Sequence, residues 1–291
     1  MMYKSDMRNT IKSLFTLTLL LFLIPLGSNG QQKLFNHDIG IAPYTFRNSF
    51  PHGVAATLDT IQDLGFTIIE GGGGDMDPKE YKKLCEERGL SIPSTGGDYN
   101  ELLNNPGPTI ERAKIYGAKY IMVAWIPHKT GNFNLDDAKK AVDDFNTIGE
   151  TLNNHGLKLA YHSHGYEFQP YKDGTLMDYI IQNTNPENVK FEMDIFWVWF
   201  GGGDPVALLD KYPDRWKLMH IKDMKPGIKK DLTGLTDPEH DVALGRGQID
   251  VKAIIQKANE TGVEYFFIED ESSRIMEQLP VSIAYLKNLK K

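Results

Sequence analysis

The chain holds one cysteine, Cys85, among 291 residues. That excludes an intramolecular disulfide framework and a cysteine-built metal cluster. Positive charge is also short: 32 Lys and Arg stand against 39 Asp and Glu, a net charge of −7. A nucleic-acid binder would normally carry a basic stripe, and none is visible. Long apolar runs are missing too, since the longest, Leu14 to Ile24, spans about eleven residues where a membrane helix needs about 20. No G-x-G-x-x-G follows the first predicted strand, which argues against a dinucleotide-binding sheet. What remains, 24% charged and 41% hydrophobic residues, is the profile of a soluble globular enzyme-sized chain.

The first thirty residues form a pattern of their own. Lys4, Arg8 and Lys12 precede the short apolar run, and Ser28-Asn29-Gly30 puts small residues just before Gln31. Charge, apolar core and small-residue cleavage site in that order describe a secretory signal peptide. The expectation is therefore a signal peptide over 1–30, a single domain over 31–291, and a periplasmic or secreted product with no stable membrane insertion. Residues 1–30 carry three basic and one acidic residue, so the processed chain would have a net charge of −9.

Residues 31–291 alternate between short β-branched or aromatic runs and helical stretches. The runs lie at 38–46, 66–70, 90–95, 119–125, 157–162, 189–194, 216–221 and 264–269. Several helices announce their starts. Asp77-Pro78 and Asp204-Pro205 each give an N-cap followed by proline in the first turn. Ala138, Ala141, Val142, Phe145, Ile148 and Leu152 keep a 3.6-residue period, and Val251, Ile254, Ile255 and Ala258 do so after Asp250. Eight strand-plus-helix units predict an α/β protein, a single (β/α)8 TIM barrel. The four glycines Gly71–Gly74 are read as a sharply bent loop after the second strand rather than as a phosphate cradle.

In such a barrel the chemistry sits at the C-terminal ends of the strands. Those ends are rich in ionisable groups: Glu70 after strand 2, His128 after strand 4, and His162, His164 and Glu167 after strand 5. Asp194 ends strand 6, His220 and Lys222 belong to strand 7, and Glu269 to strand 8. Asp194, His220 and Glu269 on three consecutive strands would converge on the axis. Left buried and unpaired they would cost several kcal/mol. One divalent ion resolves that cost; mixed oxygen and nitrogen ligands suit Mn²⁺, Co²⁺, Mg²⁺ or Zn²⁺.

Five ordered stretches, YHSHGYEF (161–168), KFEMDIFWV (190–198), LMHIKDM (218–224), LGRGQID (244–250) and FFIEDE (266–271), resemble the xylose isomerase-like family of sugar isomerases and epimerases. The resemblance runs over the whole of 31–291. It implies a metal held by Asp194, His220 and Glu269, with His162 or Glu167 as fourth ligand. Strand 5 departs from the family pattern, with His162 where many members have Glu, and Arg246 likewise stands where a Glu is common.

The resemblance implies proton removal beside a polarised carbonyl to give an enediolate. Glu269, Glu167, His164 and Lys222 are the catalytic candidates, and Glu70, Trp125, His128, Trp197, His240 and Arg246 the substrate contacts. Return of the proton gives an isomerase or epimerase acting on a keto sugar. Loss of a β-substituent instead gives a lyase or dehydratase, for which 3-keto-glycosides are a plausible exported substrate. A non-catalytic carbohydrate-binding barrel is the reading from another class. The partner expected is a small-molecule sugar and not a nucleic acid, and a homo-oligomer is compatible with the sequence. The long segment 224–248 is read as a lid carrying His240 and Arg246.

Overall fold

The computed structural model describes residues 32–291. The segment read as a signal peptide, 1–30, lies outside the described residues. Among the described residues no helix is long and apolar enough to cross a membrane.

Eight parallel strands make one sheet: β1 (Gly40–Ile41), β2 (Ile68–Ile69), β3 (Ser94–Gly96), β4 (Tyr120–Val123), β5 (Lys158–His162), β6 (Val189–Asp194), β7 (Trp216–Ile221) and β8 (Tyr265–Ile268). Each pairs with its sequence neighbour except β2 with β3, β1 also pairs with β8, and a single parallel bridge from Ile68 to Ser91 brings the β2 edge against the segment leading into β3. Helices follow the strands on the outside, and the result is the (β/α)8 barrel expected. Strands β6 and β7 match the sequence reading residue for residue. The first run, 38–46, is instead a two-residue strand followed by a 3-10 turn, Pro43–Phe46.

Local chemistry explains the helix starts. Asp77 accepts from the backbone N–H groups of Lys79 and Glu80, Asp204 from Val206 and Ala207, and Asp250 from Ala253. These bonds satisfy N–H groups that the first turn leaves free. The long helix Leu135–Asn153 buries Ala138, Ala141, Val142, Phe145, Ile148 and Leu152, the stripe its period predicts.

Two apolar zones follow from strand alternation. Outward-facing residues such as Phe191, Met193 and Met219 pack under the helices, in the main core. Inside the barrel a separate plug is formed by Ala42, Ile68, Tyr120, Ala160, Leu218 and Phe267. Side chains two residues apart on a strand share a face. The next residues inward and upward from this plug are therefore Glu70, His162, His220 and Glu269. An apolar layer below and a polar layer above are the direct result of that two-residue step. Gly40 allows the plug to close, because a Cβ there would lie 2.6 Å from the Phe267 ring.

Candidate metal and substrate site

The polar layer lines a cavity of about 510 Å³ at the C-terminal ends of the strands. Glu70, His162, His164, His220, Glu269 and Glu271 are among its walls, with Trp125 and Trp197 beside them. Two clusters of metal-type donors lie under it. One is Asp194, His220 and Glu269; the other is His162, Glu192 and His220; within each, the donor atoms lie within 4.8 Å of one another.

Asp194 is the pivot. Its Oδ1 accepts from the backbone N–H groups of Phe196 and Trp197 at 2.8 and 3.1 Å and so caps the short helix Ile195–Phe200. Its Oδ2 is buried with no hydrogen-bond partner. Around that oxygen stand His162 Nε2 at 3.7 Å, His220 Nδ1 at 4.0 Å and Lys222 Nζ at 4.0 Å. Burial pushes the Asp194 carboxyl up to about 7.

The other donors are braced from behind. His220 Nδ1 lies 3.2 Å from Glu269 Oε2, while its Nε2 lies 2.7 Å from Glu70 Oε2. Glu70 is held in turn by the Ser94 hydroxyl, which donates to Oε1 at 2.9 Å. His162 Nδ1 lies 2.9 Å from Glu192 Oε2. Lys222 donates to Glu269 Oε2 at 3.1 Å and to Glu271 Oε1 at 2.6 Å. Imidazoles that present one nitrogen to a metal typically give the other to a carboxylate. Both His162 and His220 have that arrangement.

Electrostatics follow from the excess of carboxylates. Burial alone would discharge His220, but the carboxylates of Glu192, Glu269 and Glu70 hold it well above the usual imidazole range. Burial would likewise raise Glu269, yet Lys222 and His220 keep it well below the usual carboxylate range. Glu192 goes the other way: burial, then the charge of Glu70, pushes it well up. Burial, with the charge of His220 next, holds His162 well below its ordinary value, so it is a neutral ligand-type imidazole. An unbonded buried carboxylate oxygen, neutral and carboxylate donors converging on it, and a surplus of acids fit a hard-to-borderline divalent cation. When bound, such an ion polarises a substrate carbonyl as a Lewis acid. Asp194, His220, Glu269 and His162 are the residues that would hold it.

The remaining predicted site residues separate clearly. His164 lines the cavity, stacked on Trp197 with ring centroids 5.5 Å apart, and burial lowers its pKa to about 4. Its Nδ1 is buried without a hydrogen-bond partner. Trp125 and Trp197 are wall residues as expected. Glu167 is a correction: it does not line the cavity. It is fully buried behind β5, where its Oε1 accepts from the Tyr161 hydroxyl and, at 3.0 Å, from the His164 backbone N–H. It braces the turn that presents His164 and is not placed to be a fourth ligand. His128 also misses the cavity wall; its ring stacks on Trp125 at 5.0 Å and lies 2.8 Å from the Ile126 carbonyl through Nδ1.

The lid segment needs a second correction. Its tip, Gly234 to Thr236, lines the cavity, but His240 and Arg246 do not. His240 Nδ1 lies 2.6 Å from the Thr236 hydroxyl and steadies the tip from behind. Arg246 is exposed. The LGRGQID turn exists for Asp223, whose carboxylate accepts from the backbone N–H groups of Met224, Gly245, Gly247 and Ile249 at 2.8–3.1 Å. Gly247 is required there, because a Cβ would lie 2.1 Å from Asp223 Oδ1. Lys222 therefore pairs with Glu269 and Glu271, and Asp223 faces the other way.

Glu192 and Glu271 were missed in the sequence. Glu192 sits two residues before Asp194 on the same face, and strand alternation was the signal that could have found it. A register irregularity between Phe191 and Glu192 adjusts how those two carboxylates meet β7.

Fold and site together define a TIM barrel with a cluster of histidines and carboxylates of metal-ligand type at its mouth. The chain belongs to the xylose isomerase-like TIM barrel family, which it matches over residues 58–289. An inosose dehydratase of Salmonella typhimurium is 27% identical over 75% of this chain and 82% of its own length. A sugar phosphate isomerase/epimerase structure from Parabacteroides distasonis superimposes with a TM-score of 0.70 at 24% identity, covering 86% of this chain and 96% of that one. The structure of the IolI protein with a binding zinc atom gives 0.68 at 17% identity, covering 85% and 96%. The last two likenesses concern the fold.

Proposed function

We propose that this protein is a Mn²⁺-dependent lyase acting on a keto sugar, removing a β-substituent through an enolate. The observation that carries this reading is the His164 imidazole in the cavity wall, its Nδ1 without a hydrogen-bond partner, beside the two overlapping donor groups Asp194–His220–Glu269 and His162–Glu192–His220. A general base must reach the proton it removes and must be unprotonated at working pH; His164 meets the second condition by burial.

The step balances without a co-reactant. His164 takes the proton from the carbon next to the ketone, and the C–H electron pair forms a C=C bond to the next carbon. The C–O bond at that carbon breaks, and the departing oxygen takes back the proton from His164. A hydroxy-enone and a free alcohol or water result. Lys222, anchored to Glu269 and Glu271, keeps Glu269 ionised and holds both carboxylates in place. Trp125 and Trp197 exclude water from the sugar faces.

Epimerisation needs a second proton carrier facing the first. In the barrel ring β1 stands four strands from β5. The loops after β1 and β2 contribute Ala42, Pro43, Tyr44 and Gly72 to the wall; Tyr44 stands at its exposed rim, and Glu70 is engaged by His220 and Ser94. That wall supports one-base elimination over two-base epimerisation. The dehydratase name of the Salmonella relative points the same way. The charged and apolar pattern of residues 1–30 supports export, which favours a non-phosphorylated substrate.

The test is the Mn²⁺-loaded protein incubated with a 3-keto-glucoside in deuterated water. Release of the alcohol together with an ultraviolet-absorbing enone is expected. An isomeric keto sugar that keeps its substituent would overturn the lyase reading in favour of isomerisation.

A further inference from the structure

We infer that Tyr44 and Leu235 form a second subsite at the cavity rim that holds the leaving group, and that this group is an aromatic ring, making the substrate an aryl glycoside. The inference rests on the lyase reading and names its substrate class. Among the described residues few large apolar side chains are exposed. Tyr44, at 55%, and Leu235, at 56%, both line the metal-site cavity. They come from opposite parts of the chain, the 3-10 turn after β1 and the lid tip after β7. Their meeting at one mouth is a tertiary arrangement.

The Tyr44 ring is held, and so is the backbone that carries Leu235. Arg47 sits over one face of the Tyr44 ring, 4.7 Å from its centroid, and donates to the Tyr44 and Glu271 carbonyls at 3.2 and 2.7 Å. That leaves the other ring face to the cavity. The Leu235 N–H donates to the Thr233 hydroxyl oxygen at 3.2 Å, and its carbonyl accepts from the same hydroxyl at 3.1 Å. A held, exposed apolar pair on a binding cavity is a docking feature rather than scattered surface.

Size and polarity agree. The cavity, about 510 Å³, lies within the roughly 300–1,000 Å³ that enclose a drug-sized ligand, more than one sugar ring fills. Its floor is charged and its rim apolar, so the ligand that matches both is a polar ring carrying an apolar one. The chemistry places the departing oxygen two carbons from the carbonyl, so it carries a second group beyond the ring that meets the charged floor. In the lyase step that oxygen takes its proton from His164, and a phenolic oxygen, with a pKa near 10 like that of tyrosine, needs less of that help and leaves far more readily than an alkoxide.

The test uses unreactive glycosides, so binding is read apart from chemistry. Calorimetry on the Mn²⁺-loaded protein should show phenyl β-glucoside binding at least about tenfold more tightly than methyl β-glucoside, the effect of burying part of one ring. In Tyr44→Ala/Leu235→Ala that preference should vanish with metal content unchanged. Tyr44→Phe, which keeps the ring, should retain it. Equal affinity for the two glycosides, no binding of phenyl glucoside, or a preference that survives the double alanine variant would each overturn the subsite. Turnover separates the two readings: an aryl preference without elimination of the 3-keto derivative removes the lyase and leaves the subsite. Elimination without an aryl preference does the reverse.

Discussion

Asp194 and Asp223 are both buried carboxylates at the ends of neighbouring strands, and their surroundings differ in one respect. Every lone pair direction of Asp223 that matters is met by backbone: four N–H groups converge on it. Asp194 is met on one oxygen by two N–H groups and on the other by nothing. A satisfied buried carboxylate is architecture, because its ionised form is already stabilised by donors. A half-satisfied one, ringed by imidazoles and a lysine, leaves a place for a cation. Glu167 and Glu269 differ in place rather than in satisfaction: Glu167 lies behind the strand, held on Oε1 by the Tyr161 hydroxyl and the His164 N–H and unbonded on Oε2, while Glu269, held by His220 and Lys222, opens into the cavity.

The comparison breaks most visibly at Asp194. In Asp194→Asn the Oδ1 cap survives but the anionic ligand is gone, so elemental analysis should find no stoichiometric metal. The metal-free variant should melt no lower than the metal-free parent at pH 8, where the raised pKa makes the ionised aspartate a cost. A variant that holds a full equivalent of Mn²⁺ would show that Asp194 is not a ligand.

His164→Ala should come next. With metal retained, turnover should fall at least about 100-fold, the lower range for a general base. Normal turnover would move proton removal elsewhere. Glu167→Gln, by contrast, should keep metal and most of the turnover and lower the melting temperature, since it alters only the brace behind His164.

Glu192→Gln tests the bracing of His162 and should weaken metal binding by about 10–100-fold, the usual effect of losing a carboxylate behind a ligating imidazole. Metal affinity should also depend on pH with a definite sign. Asp194 titrates near 7 without metal, so below that pH a proton must be displaced on binding. Affinity should weaken as pH falls below 7, where Asp194 takes up a proton, and keep rising above 7, where the His220 imidazolium must lose its own proton to become a ligand. Titrations of metal at pH 5.5, 6.5 and 7.5 would read this directly.

Asp223→Ala sharpens the other side of the comparison. Orphaning the N–H groups of the 243–249 turn should cost about 3 kcal/mol of stability, measured by denaturant unfolding. The metal cluster should still form. Loss of metal with the fold intact would mean that Asp223 is more than a clamp.

Much of the barrel was legible because its determinants are local. Caps such as Asp77 and Asp204, the stripe of the 135–153 helix and the β-branched runs act within a few residues of themselves. The polar layer was legible for the same reason. A strand alternates faces every residue, so a polar group two steps past an apolar plug residue must stand at the mouth. That step places Glu70, His162, His220 and Glu269, and should have placed Glu192. The loops were not legible. Whether Glu167, His240 or Arg246 meets substrate depends on which backbone N–H groups, hydroxyls and rings from distant segments reach it first. The sequence determined which carboxylates and imidazoles would be gathered at the strand ends. Only the tertiary structure decided which were already engaged behind the wall by Tyr161, Thr236 or four backbone amides, and which were left gathered at the cavity floor.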